Sequence, residues 1–198
     1  MTDRPSDDEL FGKLEEDELS TGFKRSRKGV VMQLPDDIAR VIKHVLGEML
    51  VLLAPDESAV TEQDPLAAAV GIGTSTSAPD DRALARLFPD GYTDDPDAAA
   101  DFRRYTEPGL RDGKLAAATT ALATLDGTSG KRVLTAEESD AWLRALNDIR
   151  LVLGERLGIT EDWDELLGSL TEDDPRLALF WVYDRLTYLQ ETLVRALW

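Results

Sequence analysis

The stretch TAEESDAWLRALNDIRLVLGERLG, residues 135–158, carries the clearest secondary-structure signal in the chain. Thr135 followed three residues later by Glu138 has the form of a capping box, in which each side chain accepts a hydrogen bond from the backbone N–H of the other. Gly158, after the last apolar residue, is typical of a helix that ends in a left-handed turn. The sequence therefore predicts a helix between Thr135 and Gly158.

The predicted helix is apolar on more than one side. Steps of 100° per residue gather one set of apolar residues on a single face: Trp142, Ala145, Leu146, Ile149, Val152, Leu153 and Leu157. Leu143 and Leu151 fall outside this face. Because a surface helix needs only one apolar stripe, we expect this helix to be wedged between others.

Three polar residues, Asn147, Asp148 and Arg150, occupy the middle of the same helix. Burying an unpartnered neutral polar group costs roughly 2–7 kcal/mol, so buried residues of this kind need partners. We predict a structural polar network that ties the helix to its neighbours. A functional polar pocket is the alternative.

Composition limits the classes of protein. The chain has 198 residues, no cysteine, one histidine and a net charge of −17. Disulfides, zinc–thiolate sites and cysteine nucleophiles are excluded, and a negative field of this size repels nucleic acid unless a local basic patch outweighs it. No apolar run is long enough to span a membrane, so we expect a cytoplasmic protein without a membrane anchor.

Two regions differ in organisation. Residues 1–22 hold eight acids against two bases, a composition that favours a disordered acidic segment, with folding on a partner as the alternative. Residues 23–198 are predicted to form a single helical domain in which 55–81 is rich in loops, because small residues and turn formers dominate there.

Residues 23–34, FKRSRKGVVMQL, predict a β-hairpin with a basic turn. Four cations lie close together here: Lys24, Arg25, Arg27 and Lys28. Such a cluster can contact phosphates or an acidic protein surface, whereas charged edge strands also prevent sheet-to-sheet aggregation. Residues 132–134 are a candidate third strand that pairs with 30–34.

Helical patterns fill most of the remaining chain. They cover about 35–54, 82–88, 97–125 and 174 to the end, and with the central helix they predict a mainly α fold, orthogonal or bundle-like, of about five helices with a small hairpin. Pro108 should kink the 97–125 helix or divide it. Six apolar residues of this helix are expected in the core, and Arg103 with Arg104 in a second positive spot. The six are Phe102, Tyr105, Leu110, Leu115, Leu122 and Leu125.

The last helix is also apolar on two sides. Its second side carries Trp181, Arg185, Tyr188 and Arg195, which are residue types enriched in interface hot spots. Two interpretations stay open, a partner surface and an intramolecular core contact. The partner surface would serve another protein or a second copy of the chain in a homodimer.

No residue pattern indicates catalysis. His44 has no serine or acid at the spacing of a triad, and the Gly71/Gly73 pair lacks the rest of a dinucleotide motif. We therefore predict a protein that is not an enzyme and that has no cofactor.

The segments SDAWLRALNDIRLVLGERLGIT, RLFPDGYTDDPDAAADFRRYTEPGLRDGKL and YDRLTYLQETLVRAL resemble the actinobacterial oxidative-stress regulators, domain-of-unknown-function family 2017. This resemblance implies a transcription regulator that acts through a sigma factor or another transcription component. It also implies an alternative, an adaptor or scaffold associated with Clp-type proteolysis. Because the chain has no cysteine, a disulfide switch is impossible, and methionine oxidation at Met32 or Met49 is the remaining sulfur chemistry.

Overall fold

The computed structural model describes residues 21–55, 72–73, 75–126, 130–160, 167–168, 170–171 and 173–198. Most of the predicted acidic segment 1–22 and of the predicted loop region 55–81 lies outside these ranges. In chain order, the described elements are β1 (Gly22–Ser26), β2 (Gly29–Leu34), α1 (Asp36–Leu53), α2 (Arg82–Leu87), α3 (Pro96–Thr124), β3 (Gly130–Leu134), α4 (Ala136–Leu157) and α5 (Arg176–Leu197).

The boundaries of α4 are those that the capping residues predict. The Glu138 N–H donates to Thr135 Oγ1 at 3.1 Å, and the Thr135 N–H donates to Glu138 Oε2 at 2.8 Å. Gly158 ends the helix in the left-handed conformation, with φ of 67°. The capping box and the glycine stop are both confirmed.

The α4 helix lies at the centre of the fold, where it packs against α1, α2, α3 and α5. Trp142 and Leu146 are completely buried, and the Trp142 ring meets Phe23 of β1 edge to face, with centroids 5.4 Å apart. Leu143 and Leu151 are partly buried against the same core. The prediction of a helix wedged between other helices is therefore confirmed.

The three strands form one antiparallel sheet in the order β1-β2-β3. Phe23 is opposite Met32, which is opposite Arg132, and Val30 is opposite Leu134. Alternation along β2 buries Val30 and Met32 against the helices. The described chain thus has five helices and a small sheet, which confirms the mainly α fold and the candidate third strand.

A single helix, α3, spans the position of Pro108, so of the two predicted alternatives, a kink or a division into two helices, the division does not occur. Proline has no N–H to offer the carbonyl four residues earlier, which belongs to Arg104. The Gly73 N–H donates to that carbonyl at 2.8 Å instead. A Cβ on Gly73 would lie 2.9 Å from Pro108 Cγ, so the absence of a side chain permits this approach.

The first half of α3 faces the opposite way from the prediction. Phe102, Tyr105 and Leu110 are 40%, 61% and 49% exposed, while Arg103 and Glu107 are buried. The expectation that the three apolar residues belong to the core is therefore wrong. So is the expectation that Arg103 contributes to a positive surface spot.

Candidate interaction surfaces

The turn of the basic hairpin is held by its own residues. The Ser26 hydroxyl donates to the Gly29 carbonyl at 2.8 Å and accepts from the Lys28 N–H at 3.2 Å. Gly29 has φ of 122°, a conformation that side-chain-bearing residues rarely adopt. The exposed side chains of Arg27 and Lys28 are therefore presented on an ordered turn.

The C-terminal half of α5 supports the hairpin from the side. The Phe23 N–H donates to Thr192 Oγ1 at 3.1 Å, and Arg25 donates from Nη1 to the Trp198 carbonyl at 3.0 Å. Gly22 fits against Thr192, where a Cβ would lie only 2.8 Å from the hydroxyl oxygen. All four predicted cations, Lys24, Arg25, Arg27 and Lys28, are exposed, and Arg25 contacts the end of α5.

The solvent-facing side of the sheet extends this basic surface. Lys24 lies opposite Val31, which lies opposite Val133, and Gln33 lies opposite Lys131 in the next row. Val133 is 46% exposed. The hairpin therefore offers cations around a small apolar centre, an arrangement suited to an acidic protein surface that also contributes apolar contacts.

Three of the four residues predicted as a partner surface on α5 lie together. The Arg185 guanidinium is 5.8 Å from the Trp181 ring centroid and 5.7 Å from that of Tyr188. Trp181 is 46% exposed, while Arg185 and Tyr188 are half-buried. The Tyr188 hydroxyl donates to the Thr21 carbonyl at 3.4 Å, so this arginine–aromatic ladder continues directly into β1.

Arg195, the fourth residue, is separate from the ladder. It pairs with Glu191 at 3.2 Å and lines a cleft of about 300 Å³ between α4 and α5. Arg150 of α4 lies in the same cleft. The predicted α5 surface therefore consists of two separate parts, the arginine–aromatic ladder and the cleft that Arg195 lines.

Two of the predicted polar residues of α4 join it to different neighbours. Asp148 is buried and accepts from Lys114 Nζ of α3 at 2.7 Å. Arg150 donates from Nε to Thr187 Oγ1 at 3.0 Å and from Nη1 to Gln190 Oε1 at 2.7 Å, both on α5. These charges join α4 to α3 on one side and to α5 on the other.

Asn147 is exposed, unlike Asp148 beside it. It lines a groove of about 340 Å³ between α3 and α4, together with Gly109, Leu110, Gly113, Lys114, Arg144 and Asp148. The three polar residues, predicted as one network, thus occupy three different environments.

A buried ion cluster on α3 was not predicted from the sequence. Arg103 donates from Nη1 to Glu107 Oε2 at 2.8 Å, and from Nη2 to the Phe88 carbonyl at 3.1 Å and to the Asp90 carboxylate. Burial opposes the charge of Arg103, but the hydrogen bonds to Glu107 and Asp90 raise its pKa above the ordinary value.

The ion cluster extends to α1 through Arg111. This residue donates to Glu107 Oε1 at 2.6 Å and to the Leu53 carbonyl at the end of α1 at 3.1 Å. Its guanidinium also lies 4.5 Å from the centroid of the buried Phe88 ring. The only sequence signal for this cluster is the spacing of four between Arg103, Glu107 and Arg111, which surface helices share.

The described part of the chain contains no group of three or more acidic or histidine side chains placed to hold a metal ion. Within the described ranges, no helix combines the length and apolar composition needed to cross a bilayer.

Comparison with known proteins places the chain in a family. A Mycobacterium leprae protein is 38% identical to it, over 82% of this chain and 79% of that protein. The proteins named oxidative stress regulator AosR from Mycobacterium tuberculosis and Mycobacterium bovis are each 36% identical, over 80% of this chain and 78% of their own. No solved structure matches the chain. Residues 20–197 match the family described as a domain of unknown function, DUF2017, and the chain belongs to that family.

Proposed function

We propose that this protein is a non-enzymatic transcription regulator of the oxidative-stress response that acts through a protein partner, a sigma factor or another component of the transcription machinery. The observation that carries the proposal is the relationship, at 36–38% identity over about four-fifths of the chain, to proteins that include the oxidative stress regulators AosR. Similarity of this extent supports a regulatory role under oxidative stress for this chain as well.

The partner surface in this proposal consists of the basic hairpin and the adjoining arginine–aromatic ladder of α5. The hairpin contributes Lys24, Arg25, Arg27 and Lys28, whose charges steer an acidic surface into place. The ladder contributes Trp181, a large side chain that is half exposed and therefore available for burial at an interface. Thr21 and Gly22 connect the two parts through their contacts with α5.

The chemistry of sensing is assigned to another component of the system. The chain has no cysteine, and Met32 and Met49 are each only 3% exposed in the core. An oxidant reaches such side chains only when the fold opens. In this proposal the chain is the regulatory binding module, and its partner or its abundance carries the redox signal.

Affinity purification of the full chain from oxidant-treated native cells tests the proposal. One variant replaces the four hairpin cations Lys24, Arg25, Arg27 and Lys28 with Gln. The control variant replaces four exposed cations elsewhere, Arg40, Arg82, Arg86 and Arg144, with Gln, so the two variants have the same net charge. We expect transcription components to co-purify with the wild type and the control but not with the hairpin variant.

Two outcomes would contradict the proposal. One is equal recovery of transcription components with the hairpin variant, and the other is recovery of protease components alone. Direct DNA contact is a separate question, which a salt titration of promoter-fragment binding answers, because affinity that rests on phosphate contacts falls steeply with salt. Since the net charge is −17, we expect little binding of free DNA even at low salt.

A further inference from the structure

The first half of α3 exposes large apolar side chains, which no core cluster of the described residues includes. Phe102, Tyr105 and Leu110 project from the helix, and Tyr92 from the preceding loop is 52% exposed beside them. The Tyr92 and Phe102 rings meet edge to face, with centroids 6.0 Å apart. We call these four residues the α3 outer face. Large apolar side chains exposed close together in this way commonly mark an interaction site.

The α3 outer face is held rigidly from behind. Arg103, next to Phe102 in the sequence, is buried and binds both the Phe88 carbonyl and Asp90 of the preceding loop. Gly91 lies directly against Phe102, and a Cβ there would be 2.6 Å from the ring. The aromatic side chains are therefore presented in a fixed arrangement, which lowers the entropy cost of binding.

The ion cluster also explains why the apolar residues point outward. The cluster holds Arg103 against the Phe88 carbonyl and Asp90, and Arg111 against the end of α1, so Phe102 and Tyr105 on the other side of the helix face solvent. Apolar surface exposed to water carries a free-energy cost that grows with its area. Burial of this face by another molecule would recover that free energy.

Acidic residues flank the exposed aromatics. Tyr105 lies four residues after Asp101 and seven before Asp112, a spacing that places all three on one side of a helix. Both aspartates are exposed, and the cation paired with Asp101, Arg104, is 3.7 Å away. A second copy of the chain, also with a net charge of −17, would bring like charges together here.

The α3 outer face continues into the groove between α3 and α4. Gly109, seven residues after Phe102 and therefore on the same side of α3, lines the groove together with Leu110 and Gly113. A Cβ added at either glycine would meet nothing within 4 Å, so the space beside them is open. At about 340 Å³, the groove accommodates one large apolar side chain.

We propose that the α3 outer face and this groove bind a basic amphipathic segment of a partner protein. Apolar side chains of that segment pack on Phe102 and Tyr105 and enter the groove beside Leu110, while its Lys or Arg residues pair with Asp101 and Asp112. The proposal rests on the proposed function, because it names a second contact with the protein partner. The basic hairpin then selects an acidic surface of the partner, whereas Asp101 and Asp112 beside the α3 outer face select a basic one.

Site-specific photo-crosslinking in the native cell tests this proposal. The crosslinking amino acid p-benzoylphenylalanine replaces Tyr105 in one full-length variant and His44, an exposed residue of α1, in the control. We expect the Tyr105 variant alone to yield a crosslinked peptide, with net positive charge and apolar residues at helical spacing. No product at Tyr105, a peptide from a second copy, or an acidic peptide would each overturn the proposal.

Charge reversal supplies the second measurement. The double variant Asp101→Lys/Asp112→Lys, made in the Tyr105 crosslinking background, should lower the crosslink yield about tenfold or more. The matched variant Glu48→Lys/Asp173→Lys reverses two exposed acids elsewhere and should leave the yield unchanged. An undiminished yield in the first variant would mean that the acidic residues do not recognise the partner.

The two proposals fail in distinguishable ways. A basic amphipathic peptide from a protein outside the transcription machinery, crosslinked at Tyr105, supports this inference and contradicts the proposed function. Recovery of transcription components with the wild-type chain, without any product at Tyr105, supports the proposed function and contradicts this inference.

Discussion

Individual buried residues show that a polar group in the core can depend on a single hydrogen-bond partner. Trp142 is completely buried, and its indole N–H donates to Thr124 Oγ1 at 2.9 Å, which is itself buried. The Thr124 hydroxyl donates in turn to the Ala121 carbonyl at 2.7 Å. One hydroxyl therefore satisfies the polar atom of the largest core side chain.

Replacing Thr124 with Val should destabilise the protein by about 1–3 kcal/mol, because the indole N–H of Trp142 would stay buried without an acceptor. Chemical denaturation followed by tryptophan fluorescence measures this change. Thr119→Val, at an exposed position of the same helix, is the control and should change stability by less than about 0.5 kcal/mol. Equal effects of the two substitutions would contradict the assignment.

The capping box of α4 makes a pH-dependent contribution to stability. The backbone hydrogen bond from Thr135 lowers the pKa of Glu138 below its ordinary value of 4.5, and Arg132 at 2.6 Å adds to this effect against the opposing effect of burial. The pKa of Glu138 is lower in the folded protein than in the unfolded chain. Its contribution to the free energy of unfolding is therefore complete above the unfolded pKa and is lost as pH falls through the folded pKa.

Glu138→Gln keeps the shape of the side chain and removes its charge. We expect the wild type to be the more stable protein at pH 7, and this advantage should shrink as pH falls through the folded pKa of Glu138. Denaturation curves of both proteins across the acidic range measure the difference. A difference that is independent of pH would show that the charge of Glu138 contributes nothing.

At the scale of the element, the buried ion cluster determines which side of α3 faces inward. Arg103→Met should destabilise the protein by about 3–5 kcal/mol, because Asp90 loses its cation and Glu107 keeps only Arg111. Arg104→Met removes a cation from the exposed pair with Asp101 and should cost no more than about 1 kcal/mol. Denaturant titration of both variants distinguishes buried from exposed charge.

Gly73 packs against α3 at Pro108 and donates to the Arg104 carbonyl that the proline leaves without a donor. Gly73→Ala should destabilise the protein by about 1–3 kcal/mol, because the new methyl group would overlap Pro108 Cγ. Pro108→Ala removes that ring, so the same glycine substitution should cost less in the Pro108→Ala background. A double-mutant cycle measures this coupling, and strictly additive effects would rule it out.

At the scale of the whole molecule, the charge of −17 opposes compaction. Raising the ionic strength from about 0.01 M to about 0.15 M shortens the Debye length from roughly 30 Å to 8 Å and screens this repulsion. We therefore expect the melting temperature to rise over that range in thermal denaturation. A fall would mean that the salt-sensitive ion pairs stabilise the fold by more than the self-repulsion opposes it.

In the two binding proposals, the distribution of charge matters more than the net charge does. The hairpin concentrates Lys24, Arg25, Arg27 and Lys28 beside the C-terminal end of α5, and the α3 outer face carries Asp101 and Asp112 around exposed aromatics. A partner that satisfies both surfaces needs an acidic and a basic region. Such a two-sided requirement provides specificity that a uniform acidic surface would not.

The sequence by itself determined the features that depend on neighbours along the chain. The capping box at Thr135, the left-handed Gly158, the hairpin turn and the apolar stripe of α4 are local patterns, and each predicts its structure through hydrogen bonds or periodicity within a few residues. The mainly α fold with a third strand follows from the sum of these local signals.

Only the tertiary structure decided which side of a helix faces the core when both sides are mixed. On α3, the apolar pattern favours burial of Phe102 and Tyr105. Arg103 and Arg111 share Glu107 on the same helix, but their other partners, the Phe88 and Leu53 carbonyls and the Asp90 carboxylate, lie outside α3. Partners this distant in sequence leave no local signal. The physical reason is that a buried charge is tolerated only where several groups converge on it, and that convergence exists only once the chain has folded.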